Sequence, residues 1–258
     1  MPELDLLTWI LLLLAGLSAG WVDAVVGGGG LIQLPALLLV PGIAPVQALA
    51  TNKVGSIMGT STSAITYARR VNPDFTTAGP MAVAALAGAV GGAALASHIP
   101  ASAFKPIILV VLIAVAIYTV LRPSLGEHTQ LRWEGNRHRV SAAATGLVIG
   151  VYDGVLGPGT GTFLVISLVG VLGYAFLPAS ALAKITNFAT NLGALIFFVP
   201  AGHVIWPLGL AVGAANLVGG YTGARMAVAK GSRFVRVVFV VVVGALIVRL
   251  GIDVFGGA

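Results

Sequence analysis

The chain has 258 residues, of which 58% are apolar and only 9% are charged, and its mean hydropathy is +1.02. A soluble globular domain carries about 25% charged residues, so this composition excludes that class. Several windows of roughly 18 to 25 residues contain no charge, which is typical of membrane-spanning helices. The net charge of +6 therefore indicates basic cytoplasmic loops and no nucleic-acid partner. The chain contains no cysteine, which excludes disulfides and thiolate metal sites, and its acidic start predicts no cleaved signal peptide.

Ten apolar segments follow one another along the chain, five in each half. Those of the first half cover roughly residues 5–26, 31–41, 45–68, 78–97 and 104–121. Those of the second half cover roughly residues 140–156, 161–177, 179–199, 206–228 and 233–250. Segment 31–41 is too short to cross an apolar core of about 30 Å as a helix that rises about 1.5 Å per residue. The sequence therefore predicts an all-α polytopic membrane protein in which helices are broken at glycine runs.

The two halves repeat the same landmarks in the same order. Asp23 and Asp153 are 130 residues apart, and the glycine runs that follow them share this offset. The small-residue stretches 88–92 and 219–223 recur at an offset of 131. This pattern indicates a tandem duplication.

The distribution of lysine and arginine predicts how the halves are oriented. In the first half the loop after the third segment is basic, with Arg69 and Arg70, and the next loop is not. In the second half the order is reversed, so equivalent loops face opposite sides, as in an inverted repeat. Both termini are then predicted to be periplasmic. The predicted parts are a first transmembrane repeat at 1–122, a cytoplasmic linker loop at 123–139 and a second transmembrane repeat at 140–258.

Two arrangements satisfy this charge pattern. Either all five segments of each half cross the membrane, or three cross and the first two form a re-entrant hairpin. The sequence leaves both open. Either version buries the glycine runs inside the bundle, because irregular backbone at membrane depth needs protein or a watery cavity to satisfy it.

The glycine runs Gly27–Gly30 and Gly157–Gly161 are the strongest candidates for a binding site. A break in a helix leaves free N–H groups at the start of the following half-helix, and these attract an anion together with the helix dipole. Close helix packing is the alternative role for glycine, but no packed helix needs four glycines in a row. For the pairs at 88/92 and 219/223, one turn apart on one face, close packing is the prediction.

Four ionisable residues lie within the apolar segments, two of each sign: Lys53, Lys184, Asp23 and Asp153. A charge inside the membrane is costly, so each residue needs a partner or a function. The aspartates either pair with the lysines as structural bridges or exchange a proton during transport, and the sequence leaves both roles open. The small, nearly symmetric set predicts one central site.

Polar residues accompany these charges on two segments. Asn52 and Ser56 are four residues apart, as are Asn187 and Asn191, so each pair shares a helix face. Hydroxyls and amides of this kind suit an oxyanion. The histidines show no ligand spacing and no catalytic motif is present, so the sequence predicts neither a metal site, nor a cofactor, nor an enzyme.

These residues together resemble the TauE/SafE sulfite-exporter family, in its branch of uncharacterised bacterial permeases. The first-half motif D-x-x-x-G-G-G-G-L, followed by P-x-L and A-L-A-T-N-K, runs from Asp23 to Lys53. The second-half motif Y-D-G-x-x-G-P-G-T-G, followed by K-x-x-N-F-x-x-N, runs from Tyr152 to Asn191. The resemblance covers nearly the whole chain. It implies transport of sulfur-containing anions, such as sulfite, sulfoacetate or related organosulfonates, across the bacterial inner membrane.

The sequence therefore predicts a secondary transporter that binds a small anionic substrate between its two halves within the lipid bilayer. An anion channel with a static glycine-lined filter is the alternative. The aspartates Asp23 and Asp153 are predicted to couple a proton or to form ion pairs. The predicted substrate-binding residues are Gly27, Gly28, Gly29, Gly30, Thr51, Asn52, Lys53, Gly157, Gly159, Thr160, Gly161, Lys184, Asn187 and Asn191.

Overall fold

The computed structural model describes residues 4–96, 126 and 128–255, and within these ranges the chain forms helices and no β-strand. The predicted segment 104–121 and the loop 97–104 lie outside this part of the chain. The all-α prediction is confirmed for the described residues. Their eight helices are α1 Leu6–Val26, α2 Gly30–Leu38, α3 Pro45–Val71, α4 Phe75–Ala96, α5 Gly135–Val155, α6 Thr160–Ser167, α7 Phe176–Phe198 and α8 Trp206–Phe255.

Three of the described helices, α1, α4 and α7, are long and apolar enough to cross a membrane. Helix α3 is longer still but carries a run of hydroxyl residues at 60–63. These hydroxyls donate to carbonyl oxygens of the preceding turn, as Thr60 does to Ser56 at 2.8 Å and Ser63 to Gly59 at 2.8 Å. They therefore need no water to be satisfied. Helix length, composition and this internal bonding identify a helical membrane protein.

Helices α1 and α2 form a hairpin. Helix α1 ends where Gly27 takes a left-handed conformation, with φ of 88°, which glycine adopts without strain. Gly29 then packs against the carbonyl of Ala19, so the chain runs back along α1. The end of α2 and the beginning of α1 share one hydrophobic cluster, which includes Leu37 and Leu12. The chain therefore leaves this hairpin at the same end of the bundle at which it entered.

Helices α5 and α6 form a second hairpin. The turn between them contains Gly157 and Gly159, with φ of 82° and 83°, and α6 continues as a π-helical turn over Leu168–Leu172. Beyond that turn, Gln130 N, which precedes α5, donates to Gly173 O at 2.8 Å. This hairpin also returns to the end at which it began. Of the two arrangements that the sequence leaves open, these contacts agree with a hairpin in each half.

The two hairpins open toward opposite ends of the bundle. At one end, the starts of α3 and α8 meet where Ile205 N donates to Thr51 Oγ1 at 3.0 Å, beside the outer ends of α1 and α2. At the other end, Leu177 N at the start of α7 donates to Ser232 Oγ of α8 at 3.1 Å. The α3–α4 turn and the start of α5 also lie at this second end, where Tyr174 OH donates to Asp74 Oδ2 at 3.2 Å.

Helix α8 is bent at Gly231, which has φ of 75° and ψ of −173°, so it consists of two helical stretches. This bend falls in the gap between the predicted segments 206–228 and 233–250. The first stretch packs along α1 and α3, and α4 packs along α5 and α7. The helices therefore group as α1, α2, α3 and the start of α8 on one side and α4, α5, α6 and α7 on the other. We call these groups the first and second bundles, and they meet along α3 and α7.

Glycines provide the closest helix contacts within each bundle. A Cβ at Gly150 of α5 would meet the Ala85 carbonyl of α4, and a Cβ at Gly88 would meet the Leu147 carbonyl in return. The same relation holds in the first bundle between α1 and α8. Among the described residues, the helix glycines within the bundles whose Cβ position is filled by a facing backbone carbonyl in this way are Gly16, Gly20, Gly88, Gly92, Gly146, Gly150, Gly154, Gly193, Gly219, Gly220 and Gly223. The packing prediction for the pairs at 88/92 and 219/223 is confirmed.

A polar cluster joins α4, α5 and the link before α7 at the second end of the bundle. This end carries the basic residues of segments 69–70, 137–139 and 225–236, and we call it the basic end. Asp74 Oδ2 accepts from Thr77 Oγ1 at 2.6 Å and from Tyr174 OH, and His138 Nε2 lies 3.1 Å from both hydroxyls. Burial favours a higher pKa for the Asp74 carboxyl, but hydrogen bonds from Thr76 and Thr77 outweigh it and hold that pKa at about 2. Burial also raises the pKa of Tyr174.

Candidate functional site

The tips of the two hairpins touch each other. A Cβ at Gly27 would meet the backbone of Gly161, and a Cβ at Gly30 would lie 3.2 Å from Pro158 Cα. Thr162 N donates to Gly27 O at 3.0 Å, and Thr162 Oγ1 donates to the neighbouring carbonyl of Val26 at 3.2 Å. The second tip therefore satisfies carbonyls that the end of α1 leaves without a helical partner. Contact this close requires residues without a side chain.

Two buried ion pairs connect the halves across this point. Lys53 of α3 donates from Nζ to Asp153 O at 2.7 Å and lies 2.7 Å from Asp153 Oδ2. The Oδ2 contact is an ion pair without hydrogen-bond geometry. Lys184 of α7 donates from Nζ to both Asp23 O and Asp23 Oδ2, the latter at 2.8 Å. Each lysine thus holds the aspartate of the other half.

The position of each ammonium follows from the helix ends. Asp23 and Asp153 lie in the last turns of α1 and α5, where carbonyls lack helical partners and the helix dipole favours positive charge. The side chains of Lys53 and Lys184 are 1% and 0% exposed, and that of Asp153 is 2% exposed. The side chain of Asp23 keeps 13% exposure. Breaking such a buried pair costs about 3–5 kcal/mol, because the remaining charge is uncompensated.

A pocket lies between the hairpin tips and the facing turns of α3 and α7. Its free space is about the size of one water molecule. Backbone at the glycine turns, both aspartates, one lysine and three amide side chains surround it. The lining residues are Asp23, Gly27, Gly30, Asn52, Lys53, Ser56, Asp153, Gly157, Gly159, Thr160, Gly161, Asn187 and Asn191.

Several groups in this lining have spare hydrogen-bonding capacity. Helices α2 and α6 begin without a side-chain cap. The described backbone hydrogen bonds give the N–H groups of Gly30 and Gly161 no acceptor. Asn52 Oδ1 is buried without a partner. Thr160 Oγ1, in contrast, donates to Asp153 Oδ1 at 2.5 Å. Free N–H groups at two helix starts, beside an ammonium, form an environment suited to an anion.

The structure brings most of the predicted binding residues to this pocket, but not all of them. Gly28 and Gly29 are buried behind it, and Gly29 faces the carbonyl of Ala19 and the Cβ of Asp23. Thr51 points away and accepts from the Ile205 amide. Lys184 lies behind Asp23 and does not line the pocket.

Two buried amides near the pocket were not among the predicted residues. Gln33 Nε2 of α2 donates to Asn52 O at 3.2 Å, and Asn216 Nδ2 of α8 donates to Gln33 Oε1 at 2.5 Å. They fasten α2 to α3 and α8 beside the binding residues. The sequence could have indicated Gln33, because it is the one polar residue in the short apolar segment 31–41. Ser56 also lines the pocket. The sequence indicates it as a polar neighbour of Asn52 on the same helix face, but it is not among the predicted binding residues.

Among the residues that the structure describes, no group of three or more His, Cys, Asp or Glu side chains is placed to hold a metal ion. The charged groups of the pocket are two carboxylates and one ammonium, with the second ammonium directly behind. The ammonium and the free N–H groups at the helix starts suit an anion.

Comparison of the sequence with those of known proteins identifies relatives along most of the chain. A protein of Sinorhizobium sp named Probable membrane transporter protein ORF9 is 39% identical over 246 residues, which are 94% of this chain and 92% of the relative. The Probable membrane transporter protein YfcA of Escherichia coli K12 is 32% identical over 246 residues, 95% of this chain and 90% of the relative. A Probable membrane transporter protein of Haemophilus influenzae is 31% identical over 242 residues, with 92% and 91% covered.

No solved structure matches the chain significantly. The family described as Sulfite exporter TauE/SafE matches residues 12–250, which include the tips of both hairpins, both ion pairs and every residue of the pocket lining. Three relatives named as membrane transporters match more than nine-tenths of the chain, and with the family match they show that the chain belongs to the TauE/SafE sulfite exporter family of membrane transporters.

Proposed function

We propose that this protein is a secondary transporter of small sulfur-containing anions, such as sulfite, sulfoacetate or related organosulfonates, across the bacterial inner membrane. The observation that carries the proposal is the meeting of the two glycine turns, one from each half, around one pocket with an ammonium and two uncapped helix starts. The family description supports the choice of substrate.

The anionic head is bound by the N–H groups of Gly30 and Gly161 and by the ammonium of Lys53. That ammonium has three N–H donors and gives one to Asp153 O, so it retains donors for a ligand. Asn52, Asn187 and Asn191 orient the substrate with their amides. Lys184 has a different role, because it lies behind Asp23 and stabilises the end of α1.

The halves act as inverted repeats, and access alternates through movement of one bundle against the other. Support comes from the two hairpins, which open toward opposite ends and have equivalent landmarks 130 residues apart. The contacts within each bundle are backbone against glycine and leave little freedom to slide. The contact between α3 and α7 carries the site and contains fewer such backbone approaches. Rocking about a fixed site at a repeat interface is the usual movement of such transporters.

A proton accompanies the anion. The two lysines and two aspartates sum to zero charge, so a bound monoanion leaves the site with a net charge of −1. Protonation of Asp153 or Asp23 restores neutrality, which lowers the cost of carrying the loaded site through the membrane.

The basic end of the bundle is proposed to face the cytoplasm. Segments 69–70, 137–139 and 225–236 all lie there, whereas segments 4–12, 37–48 and 198–208 at the other end carry no lysine or arginine. Both termini then lie in the periplasm. The first transmembrane repeat covers 1–122, the linker 123–139 is cytoplasmic, and the second repeat covers 140–258.

The test is flux of labelled sulfite into proteoliposomes that contain the purified protein. Lys53→Ala is expected to lower the affinity for sulfite, and Lys230→Ala, which alters a lysine at the basic end outside the pocket, is the matched control. Unchanged flux and affinity in Lys53→Ala would remove this lysine from the mechanism. Saturable counterflow is expected for a carrier, whereas a conductance far above carrier turnover would show the channel instead.

A further inference from the structure

We infer that the ammonium groups of Lys53 and Lys184 occupy the places of coupling cations, so that anion transport by this protein needs no sodium ion. The prediction that transport needs no sodium rests on the proposed function, whereas the prediction that no sodium ion binds rests on the geometry alone. In many secondary transporters, the carbonyl ends of broken helices coordinate a sodium ion beside the substrate. Here the ammonium of a lysine side chain lies at the carbonyl end of α1 and of α5.

The contacts of each Nζ are those of a bound cation. Lys53 Nζ lies 2.7 Å from both a backbone carbonyl and a carboxylate oxygen of Asp153. Lys184 Nζ has the same two kinds of ligand at Asp23. Both sets of oxygens belong to the last turn of a helix that ends inside the bundle. A sodium ion bound to the same oxygens would lie within a few ångströms of the ammonium, and the repulsion of two buried like charges excludes it.

The other carbonyls of the two tips are already occupied by internal donors. Thr162 donates to Gly27 O and Val26 O, Thr160 N donates to Gly157 O at 3.4 Å, and Tyr152 OH donates to Pro158 O at 2.6 Å. A sodium site prefers several unshared oxygens of this kind. Each of these donors uses a lone pair of a tip carbonyl, so fewer unshared carbonyl oxygens remain there for a metal cation. This observation is independent of the lysines.

The lysines act as fixed charges that remain with the protein throughout the cycle. They neutralise the carboxylates and the negative ends of α1 and α5 without taking an ion from solution. The charge of the incoming anion is then balanced by the free helix starts and by a proton.

The first experiment measures the purified wild-type protein in sodium, potassium and N-methylglucamine chloride at equal ionic strength. The melting temperature is expected to be the same in all three salts, and sulfite flux into proteoliposomes is expected to be equal. A sodium-specific rise in melting temperature, or sulfite accumulation driven by a sodium gradient, would overturn the inference. If no salt supports any sulfite flux, the proposed substrate fails, and the melting temperatures still decide the question of sodium binding.

The second experiment replaces each of the two lysines by alanine and adds a free cation to the solution. In Lys53→Ala and Lys184→Ala, methylammonium is expected to raise the melting temperature, because its N–H groups refill the vacated place. Tetramethylammonium, which has no N–H donor, is expected to have no effect, and Lys230→Ala is expected to respond to neither salt. Equal responses of both lysine variants to the two cations would contradict the assignment. The wild-type measurements remain decisive if one variant fails to fold.

Discussion

The pair between Lys184 and Asp23 offers the sharpest test of the crossed ion pairs. Lys184→Met keeps most of the side-chain volume and removes the charge, which leaves the Asp23 carboxylate without its cation inside the bundle. Asp23→Asn, made in the same background, removes the charge that was left over. We expect Lys184→Met to be strongly destabilising and the second substitution to recover much of the loss.

The magnitude follows from burial. Removing one partner of a buried pair costs about 3–5 kcal/mol, and the 13% exposure of the Asp23 side chain places this pair at the lower end, near 3 kcal/mol. In the double variant no charge is left uncompensated. Its free energy of unfolding is lowered only by loss of the hydrogen bond from Lys184 to Asp23 O, which contributes about 1 kcal/mol. The coupling energy between the two positions is therefore expected to be about 2 kcal/mol or more.

The assay is reversible unfolding in mixed micelles with increasing SDS, followed by circular dichroism, for the four proteins of the cycle. Lys230→Met serves as control, because its ammonium lies over the Phe234 ring at the basic end, and surface changes of this kind stay within about 0.5 kcal/mol. Additive effects of Lys184→Met and Asp23→Asn, with coupling below about 0.5 kcal/mol, would refute the pairing.

The remaining predictions concern packing, backbone strain and pH. Gly150→Ala forces a methyl group against the Ala85 carbonyl and is expected to destabilise by about 1–3 kcal/mol in the same assay, whereas Gly91→Ala, with open space around it, is expected to stabilise by about 0.5 kcal/mol. Gly231→Ala is expected to cost about 1–3 kcal/mol despite open space, because φ is positive there; Gly244→Ala in the same helix, which also has open space, is its control. The pKa of Asp74 is lowered from 3.8 to about 2, so its stabilisation is full above pH 4 and is lost as the pH falls toward 2. The melting temperature of Asp74→Asn is therefore expected to lie below that of the wild type at pH 6 and to converge with it near pH 2; a difference that persists at low pH would contradict this assignment.

Much of the helical pattern could be predicted from the sequence because it depends on local composition. The apolar segments 5–26, 45–68, 78–97 and 179–199 match helices within a few residues. Helix α5 begins at Gly135, five residues before the predicted start at 140. The polar residues that precede the apolar part continue the helix beyond the apolar layer, so apolar composition alone does not mark its beginning.

The partners within the site depend on packing and could not be predicted in the same way. The sequence placed both aspartates and both lysines near one another, but it did not determine which lysine meets which aspartate. Lys53 and Asp153 are 100 residues apart, and Lys184 and Asp23 are 161 apart. Their pairing follows from the contact between α3 and α7 and from the way each hairpin tip inserts against the other half. Gln33 and Asn216 were missed for the same reason, since their value lies in contacts with other helices.

The two ion pairs differ in their surroundings, and under the proposed function this difference distinguishes the lysine that binds the anion from the one that only stabilises the fold. Asp153 accepts from Thr160, whereas the residue 130 positions earlier, near Asp23, is Gly30 and has no hydroxyl to offer. Lys53 lines the pocket while Lys184 is enclosed behind a carboxylate. Each of the two helix ends has a lysine ammonium at its last turn, so loss of either lysine is expected to destabilise the fold. Only Lys53 also lines the pocket. If the proposed function holds, loss of Lys53 is therefore expected to lower substrate affinity beyond its effect on stability.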